Sequence, residues 1–361
     1  MITRTFIITI EIFISLFWQR IFAQYDADSS WVATTVTIAA VGDIMMGTTF
    51  PEHKNYLPPD NGRHLFVDVK SHLKSADIAF CNLEGPLVDF GKLAKNCKDT
   101  TKCYAFRTPA RFIRNLVDAG FNLASLANNH SRDFGEVGRD TTMMLLDSVG
   151  IAHSGRLGDI ASLRIRDLNV GMIAFNTYDG SYNLLEREEA KGTVAELSRI
   201  HDILIVSFHG GAEGASALNV PDSCEIYYGE ERGHLREFTH AMIDAGADLI
   251  LGHGPHVPRG MEIYKNRLIA YSLGNFCTYE RFNLSGPNGL TYILKAELER
   301  DGSIRRSKII SCYQRDPGIP KVDPAQRAAK LIHSLSKQDF GANGVRVGVD
   351  GELKILAQME P

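Results

Sequence analysis

The sequence predicts an α/β protein, because short apolar strands alternate with helical patterns along most of the chain. Hydrophobic residues make up 44% of the 361 residues and charged residues 23%, a balance typical of a globular protein with a sizeable core. The strands of the central run end in carboxylate, amide or imidazole side chains. These observations predict one large α/β domain with a ligand site beyond the strand ends.

Local patterns predict the individual elements. Apolar runs bounded by glycine, proline or polar turns predict strands within residues 34–43, 77–86, 121–135, 151–155, 168–176, 202–211, 247–256 and 266–276. Helical spacing, in most cases followed by glycine, predicts helices within residues 65–76, 109–120, 138–150 and 232–246. Residues 289–313 predict a hairpin about Asp301-Gly302. No repeat or long linker divides residues 37–313, so they are expected to form one domain.

The C-terminal residues 320–361 change character. Residues 323–341 have a helical pattern with a proline near the start, and residues 345–358 predict a hairpin that turns at Asp350-Gly351. Such a segment is too short to fold alone. We therefore expect a small helix-and-hairpin appendage packed on the core.

Residues 1–23 have the layout of a secretory signal peptide, with Arg4, a short apolar run and Ala23 at the cleavage point. An uncleaved anchor is the alternative, because Ile21 is bulkier than the usual residue two places before a cleavage site. Residues 24–36 then form a linker. Both interpretations place the rest of the chain outside the cytoplasm, in the periplasm or extracellular space, and the second anchors it to the membrane.

An exported chain permits disulfides. Cys97 and Cys103 lie close together in a polar stretch and are expected to be bridged, whereas the other four cysteines lie in apolar surroundings and are expected to be inert core residues. No C-x-x-C pair is present, which argues against a cysteine-based zinc site. The net charge of −4 gives no electrostatic footprint for nucleic acid, so a nucleic-acid partner is not expected.

Side chains that can bind a metal ion follow the strands. In an α/β sheet, ligands bind in the crevice beyond the carboxyl ends of the strands. Carboxylate, amide and imidazole groups suit a divalent ion such as Mn, Fe or Zn, and two such ions can orient a water and stabilise the transition state of a hydrolysis. The candidates are Asp43, Glu84, Asn128, Asn129, His130, His209, His253 and His256.

Each candidate also has a structural interpretation. Asp43 can cap the next element, Glu84 can be a turn residue, and a lone His209 is more often a hydrogen-bonded structural histidine. His253 and His256, four residues from first to last, favour a metal site, and so does the whole set. Glu213, four residues after His209, is a candidate to orient an imidazole.

The motifs "VGDIMMG", "NLEGPL", "ANNHSRDFG", "SFHGGAEG" and "IDAGADLILGHGPHVPRGMEIYKNRLIAYSLGNF" resemble the ordered motif series of CapA-type capsule and poly-γ-glutamate synthesis proteins, from Thr37 to Cys312. That family is related to the calcineurin-like metallophosphoesterases. The resemblance implies a β-sandwich flanked by helices, in four layers α/β/β/α.

The resemblance also implies roles for the strand-end residues. Asn129 corresponds to a metal ligand and His130 to the general acid, with Asn128 and Asn275 in supporting positions. Glu84 replaces the bridging aspartate of the related phosphoesterases. The implied ligands are Asp43, Glu84, Asn129, His209, His253 and His256.

Two residues depart from the family pattern. Met45 stands where the related phosphoesterases have a histidine, which removes one ligand from the first metal position. Asp43, Glu84 and His256 remain there, and the second position keeps Glu84, Asn129, His209 and His253. One or two divalent ions are therefore expected, with one held tightly and the second weak or absent. Gly210 replaces a usual bulky aromatic residue and is expected to open that wall of the pocket.

The functional expectation is an exported protein for synthesis, export or trimming of an anionic extracellular polymer through a metal-dependent hydrolytic site. Its partners would be the polymer and membrane-bound subunits of a polymer synthase. The positive residues Lys92, Lys95, Lys98, Lys102, Arg107 and Arg111 can face a polyanion, although a solvated face is the commoner outcome. The alternatives are a periplasmic phosphoesterase that acts on a phosphoester substrate and a non-catalytic accessory subunit of a polymer synthase.

Overall fold

The structure is a computed structural model that describes residues 35–95 and 104–354. The signal peptide, nearly all of the linker and the Cys97–Cys103 bridge lie outside the described residues and remain predictions. The first strand begins at Thr35, two residues before the expected domain boundary.

Within the described residues the strands are, in chain order, β1 (Thr35–Met45), β2 (Ile78–Leu83), β3 (Leu123–Ser125), β4 (Ala152–Ser154), β5 (Ala161–Ile165), β6 (Leu168–Asn176), β7 (Tyr182–Asn183), β8 (Ile203–His209), β9 (Glu225–Tyr227), β10 (Glu230–Gly233), β11 (Leu249–His253), β12 (Met261–Tyr264), β13 (Arg267–Ala270), β14 (Asn275–Thr278), β15 (Leu290–Glu299), β16 (Ile304–Tyr313), β17 (Lys321–Val322), β18 (Arg346–Val347) and β19 (Leu353–Lys354). The α-helices are α1 (Lys70–Lys74), α2 (Ile113–Ala119), α3 (Gly135–Ser148), α4 (Arg187–Leu197), α5 (Leu235–Asp244) and α6 (Arg327–Phe340). Short 3-10 helices span Pro59–Gly62, Ala110–Phe112 and Gly286–Gly289.

Two mixed sheets carry the fold. The first has the order β17-β16-β15-β1-β2-β3-β4, with β14 paired to β1, and its strands β14, β1, β2, β3 and β4 run parallel. The second has the order β12-β13-β11-β8-β6-β5, with β7 paired to β6, and its strands β13, β11, β8 and β6 run parallel.

The sheets pack face to face, and helices cover both outer faces. Side chains of a strand alternate between its two faces. Accordingly Val36 and Ile38 of β1 pack with residues of the second sheet, whereas Ala39 and Val41 pack with α1, α2 and α3. On the second sheet, alternate residues of β8 pack against α4 and α5. The four-layer α/β/β/α sandwich implied by the resemblance is therefore confirmed.

The C-terminal helix α6 packs at the sheet interface. Ala328, Ala329 and Ile332 join the core between the sheets, and the backbone N–H of Met261 donates to the Ser336 hydroxyl at 2.8 Å. The β18–β19 pair follows, as the hairpin pattern predicted. None of the helices in the described ranges is long and apolar enough to cross a membrane.

The structure differs from the sequence predictions in several places. Helix α1 spans Lys70–Lys74 only, and the residues before it form turns. Helix α4 and the β9–β10 hairpin were not predicted. Cys224 is exposed, so the expectation of a buried core cysteine is wrong there, while Cys81, Cys277 and Cys312 are buried as expected.

Candidate functional site

The carboxyl ends of the parallel strands of both sheets meet at one edge of the sandwich. β1 and β2 lie side by side, with Asp43 opposite Asn82, and β8 and β11 lie side by side, with His209 opposite His253. The two pairs belong to different sheets. The site is therefore built from both halves of the sandwich.

A bulge in β1 positions Asp43. The register with β2 shifts between Ala40 and Asp43, and the register with β14 shifts after Asp43. A bulge re-aims the side chain beside it, and bulges are common next to active sites. The residue before Asp43 must be Gly42, because a Cβ there would lie 1.7 Å from the Gly274 carbonyl oxygen, which accepts the Asp43 N–H. Asp43 is fully buried.

Asn82 holds the two carboxylates together. Its amide nitrogen donates to Asp43 Oδ1 at 2.8 Å and to Glu84 Oε2 at 2.6 Å. The amide of Asn128 in turn donates to Asn82 Oδ1 at 3.0 Å. Asn82 was not predicted as a site residue. The signal was its position two residues before Glu84, since residues at that spacing share a face of a strand.

The segment after β3 contributes the proposed acid. The ring of His130 is almost fully buried, and its Nδ1 donates to Asp133 Oδ2 at 2.8 Å. The side-chain oxygen of Asn128 accepts the His130 backbone N–H, so the turn that carries the ring is fixed. Asp133 was also missed, although it follows His130 by three residues. A hydrogen bond to this carboxylate favours the tautomer of His130 that has its proton on Nδ1.

The histidines of the second sheet reach across to the carboxylates of the first. His253 Nδ1 donates to Asp43 Oδ1 at 3.2 Å, and His256 Nδ1 donates to Asp43 Oδ2 at 2.9 Å. His209 Nε2 lies 3.6 Å from Glu84 Oε1. Gly254 permits this turn, because it has a φ of +111° and a Cβ there would lie 2.5 Å from the Gly210 carbonyl oxygen.

These contacts shift the ionisation of the site. Burial raises the pKa of Asp43, but the hydrogen bonds and charges of His253 and His256 outweigh it and hold the pKa well below its usual range. Burial and the Asp43 charge raise the pKa of Glu84, and His209 and His256 more than offset them. Burial lowers the pKa of His256, but Asp43 raises it to about 10.

Asn275 and Glu213 both lie beside His256. The oxygen of Asn275 lies 3.0 Å from His256 Nδ1, and its amide donates to the His256 carbonyl at 3.2 Å. These bonds hold His256 at a φ of +57°, a strained conformation that is characteristic of functional sites. Glu213 Oε2 is 4.0 Å from His256 Nε2 and its Oε1 is 3.3 Å from Arg232, so the imidazole it approaches is His256.

Several buried oxygen and nitrogen atoms of the site, each able to act as a donor to a metal ion, have no hydrogen-bond partner. They are Glu84 Oε1, Asn129 Oδ1, both ring nitrogens of His209, and His253 Nε2. An unsatisfied buried polar group costs about 1–3 kcal/mol, so native proteins rarely leave several together without a bound ligand. The same four side chains form the second metal position implied by the resemblance. In type and in lack of partners they fit one divalent ion.

Metal binding would require these side chains to move. Over residues 35–95 and 104–354, no group of three or more histidine, cysteine, aspartate or glutamate side chains is arranged so that it could hold a metal ion. Asn129 would supply a further donor, and Glu84, His209 and His253 would have to draw together. Both oxygens of Asp43 accept hydrogen bonds from imidazoles, so the first position is closed by protein–protein contacts.

The two departures from the family pattern have different outcomes. The Met45 side chain is buried, and its sulfur accepts the Gly47 N–H at 3.2 Å. A thioether has no nitrogen, so Met45 does not replace the missing histidine ligand. The expectation of an open wall at Gly210 is wrong. A Cβ at Gly210 would lie 2.8 Å from the Arg232 carbonyl oxygen and 2.9 Å from the Leu184 side chain, so these groups fill the space.

Comparisons with known proteins agree with the motif series. The family described as "Bacterial capsule synthesis protein PGA_cap" matches residues 37–280. The chain is 30% identical over 256 residues to the capsule biosynthesis protein CapA of Bacillus anthracis, covering 67% of this chain and 59% of that protein. It is 28% identical over 318 residues to the PGA biosynthesis protein CapA of Bacillus subtilis, covering 82% and 77%.

Solved structures are more distant. A hypothetical protein from Thermus thermophilus has a TM-score of 0.45 and 16% identity, covering 77% of this chain and all of that chain. A 5'-nucleotidase precursor from the same organism has a TM-score of 0.43 and 12% identity, covering 84% and 59%. With its ordered motifs and a family match over residues 37–280, this chain belongs to the bacterial capsule synthesis protein family PGA_cap.

Proposed function

We propose that this protein is an exported hydrolase, dependent on one divalent ion, that acts in the synthesis, export or trimming of an anionic extracellular polymer of the poly-γ-glutamate or capsule type. The polymer class comes from the relatives, two of which are CapA proteins of capsule or PGA biosynthesis. The observation that carries the hydrolase proposal is the set of unpartnered buried donors on Glu84, Asn129, His209 and His253.

A divalent ion such as Mn, Fe or Zn bound to these donors would act as a Lewis acid toward the scissile bond and the attacking water. The chain's own residues would do the rest. Asn82 and Asn128 keep Glu84 in place. Asp133 orients His130, and the imidazolium form of His130 would give its Nε2 proton to the leaving group.

The atoms of this reaction balance with one water and no further reactant. In a γ-glutamyl chain, water would supply hydroxyl to the carbonyl carbon as the C–N bond breaks. The leaving nitrogen would take a proton from His130, and the proton released by the water would restore it. A phosphoester would follow the same scheme, with the P–O bond broken and the leaving oxygen protonated.

The deciding experiment is the metal content of the full-length protein. Wild type purified without chelator is expected to contain about one equivalent of Mn, Fe or Zn by elemental analysis, because four donors fit one ion. His209→Ala is expected to lose it, and His201→Ala, which removes a histidine outside the site, is expected to keep it. Loss of the ion should coincide with loss of polymer or phosphoester hydrolysis.

A second candidate is a non-catalytic accessory subunit of a membrane-bound polymer synthase. The observation that favours it is the closed contact of Asp43 with His253 and His256, which occupies ligand atoms of the first metal position. A wild-type protein that stays metal-free in excess Mn, Fe and Zn, and that is purified together with synthase subunits, would support the accessory role and reject the hydrolase.

A further inference from the structure

Two clefts lie side by side at the candidate site. One has a volume of about 400 Å³ and the other about 380 Å³. Lys95 and Asn129 line both of them, and Asn129 carries one of the unpartnered donor atoms. We call the two clefts the first arm and the second arm. Lys95 and Asn129 thus form the junction of the two arms, and His130 and His256 of the candidate site line the first arm.

The first arm is bounded by aromatic side chains and a guanidinium. Phe282 lies 5.4 Å from the His256 ring, centroid to centroid, and Arg281 lies over the rings of Tyr56 and Tyr104. Tyr228, at the tip of the β9–β10 hairpin, is 91% exposed and has a φ of +49°. A bulky residue in the left-handed region is uncommon and indicates a constrained position.

The second arm adjoins the first at Lys95 and Asn129. It is lined by Arg132, Asn176, Tyr178, Asp179 and Ser181, among others. Arg232 connects its wall to that of the first arm, because its guanidinium lies 5.6 Å from the ring of Tyr178 and 5.5 Å from the ring of Tyr227. The two arms therefore share one continuous wall.

Basic side chains occur in both arms. Arg281 lines the first arm, Arg132 lines the second, and the ammonium of Lys95 lies at the junction. Acidic groups accompany them, because Arg132 pairs with Glu136 at 2.7 Å and Lys95 Nζ lies 3.8 Å from Asp133 Oδ1. Asp179, in the second arm, has an exposed carboxylate. The carboxylates of a bound polyanion would therefore compete with these acidic groups for Arg132 and Lys95.

We infer that an extended anionic polymer lies through both arms at once, so that an internal linkage of the chain is placed at the junction, beside Asn129. This inference rests on the proposed function for the identity of the polymer. It adds a second binding subsite, formed around Tyr178 and Ser181, and an internal rather than terminal position of attack. A site that acted on chain ends would need only one arm.

The test is binding of fluorescein-labelled γ-linked oligoglutamates of increasing length to the full-length protein. Ser181→Phe fills the second arm and removes none of the donors. Ser148→Phe, at the end of α3, is the matched control outside both arms. Affinity for wild type is expected to rise with length and then level off. Ser181→Phe is expected to weaken binding of the longest oligomers about tenfold and to leave the shortest unchanged, whereas Ser148→Phe changes neither.

Affinity that does not depend on length, or equal binding by Ser181→Phe and Ser148→Phe, would overturn the two-arm inference. The size of the products gives a second readout, because internal cleavage shortens a long polymer before small fragments accumulate. Length-dependent binding without any hydrolysis would reject the hydrolase proposal and still support the two-arm cleft. The failure of one proposal is therefore distinguishable from the failure of the other.

Discussion

The imidazole Nδ1 of His253 lies 3.2 Å from Oδ1 of Asp43, although 210 residues separate the two in the chain. Asp43 lies two residues before the end of β1 in the first sheet, and His253 is the last residue of β11 in the second. The contact is fully buried on both sides. It is one of the bonds by which the two sheets are joined at the site.

The Asp43–His253 contact predicts a measurable coupling in metal-free protein. Asp43→Asn, His253→Gln and the double variant form a double-mutant cycle on the free energy of unfolding. Because the pair is buried, we expect a coupling energy of about 1–3 kcal/mol by urea denaturation with chelator present. Additive effects of the two substitutions would show that the contact contributes nothing.

Asn82 is predicted to relieve repulsion between Asp43 and Glu84. Asn82→Asp replaces a donor with a third carboxylate, so we expect it to destabilise the metal-free protein by about 3 kcal/mol. Asn82→Ala is expected to cost less. Because a cation offsets the added charge, addition of Mn or Zn should narrow the difference between the two variants. The measurement is the melting temperature with chelator and with metal, and an equal effect of the two substitutions would contradict the prediction.

His130 is predicted to act in catalysis without holding the ion. His130→Ala should lower kcat by about 10²–10⁴, the usual range for loss of a general acid. Metal content should stay unchanged, unlike in His209→Ala. Asp133→Asn should give a smaller loss of kcat, because it weakens only the orientation of the ring. Joint loss of metal and activity in His130→Ala would assign His130 to the metal site instead.

The buried pair of Arg259 and Glu225 is predicted to hold the loop that carries Glu213. Nη1 and Nη2 of Arg259 donate to the Glu225 carboxylate at 2.8 Å each, and its Nε donates to the Ala217 carbonyl at 2.7 Å. Removing one partner leaves a buried charge, so Glu225→Gln should destabilise the protein by about 3 kcal/mol. Arg267→Ala, at a half-buried arginine, should cost less. Urea denaturation measures the free energy of unfolding of both variants. Equal decreases in the two would show that burial of the charge does not decide the cost.

Acid stability should depend on Asp77. Burial raises the pKa of Asp77, but hydrogen bonds from Arg166 and Thr37 outweigh it and lower the pKa to about 2. A lowered pKa stabilises the fold above the unfolded value of 3.8, and the contribution disappears as the pH falls through about 2. Because Arg166 is 36% exposed, we expect only about 1 kcal/mol.

The measurement for Asp77 is the free energy of unfolding as a function of pH, from neutral pH down to about pH 2. Wild type should lose this contribution on acidification, and Asp77→Asn should lack it at every pH. Asp118→Asn, on the surface of α2, is the control and should follow wild type. An equal loss of unfolding free energy on acidification in wild type and Asp77→Asn would show that Asp77 does not cause the pH dependence.

Strand positions could be predicted from the sequence because the buried strands are continuous apolar runs. Helix α4 was missed because the segment is rich in charge and buries only Ala190 and Val194, so its amphipathic pattern is weak. The β9–β10 hairpin was missed because it is short and largely exposed. Its base is held by the distant Arg259 through Glu225, and local patterns do not reveal such a contact.

The candidate site residues were predicted because they follow the strands directly. The residues that hold them in place were not predicted, because their contacts depend on the register between paired strands. Asn82 reaches Asp43 only because β1 and β2 pair in parallel with a shift at the bulge. The space at Gly210 was misjudged for a related reason. The groups that fill it, Leu184 and the Arg232 backbone, come from segments whose positions depend on tertiary packing.

Because the donors come from both sheets, an ion bound to Glu84 and His209 would cross-link the two halves of the sandwich. Such an ion binds the packed state and has no comparable site in a chain whose sheets have separated. Its free concentration would then set the thermodynamic stability of the protein. Each tenfold increase well above the dissociation constant adds about 1.4 kcal/mol to the free energy of unfolding. The tolerance of this protein to heat and denaturant would thus be a direct measure of ion supply.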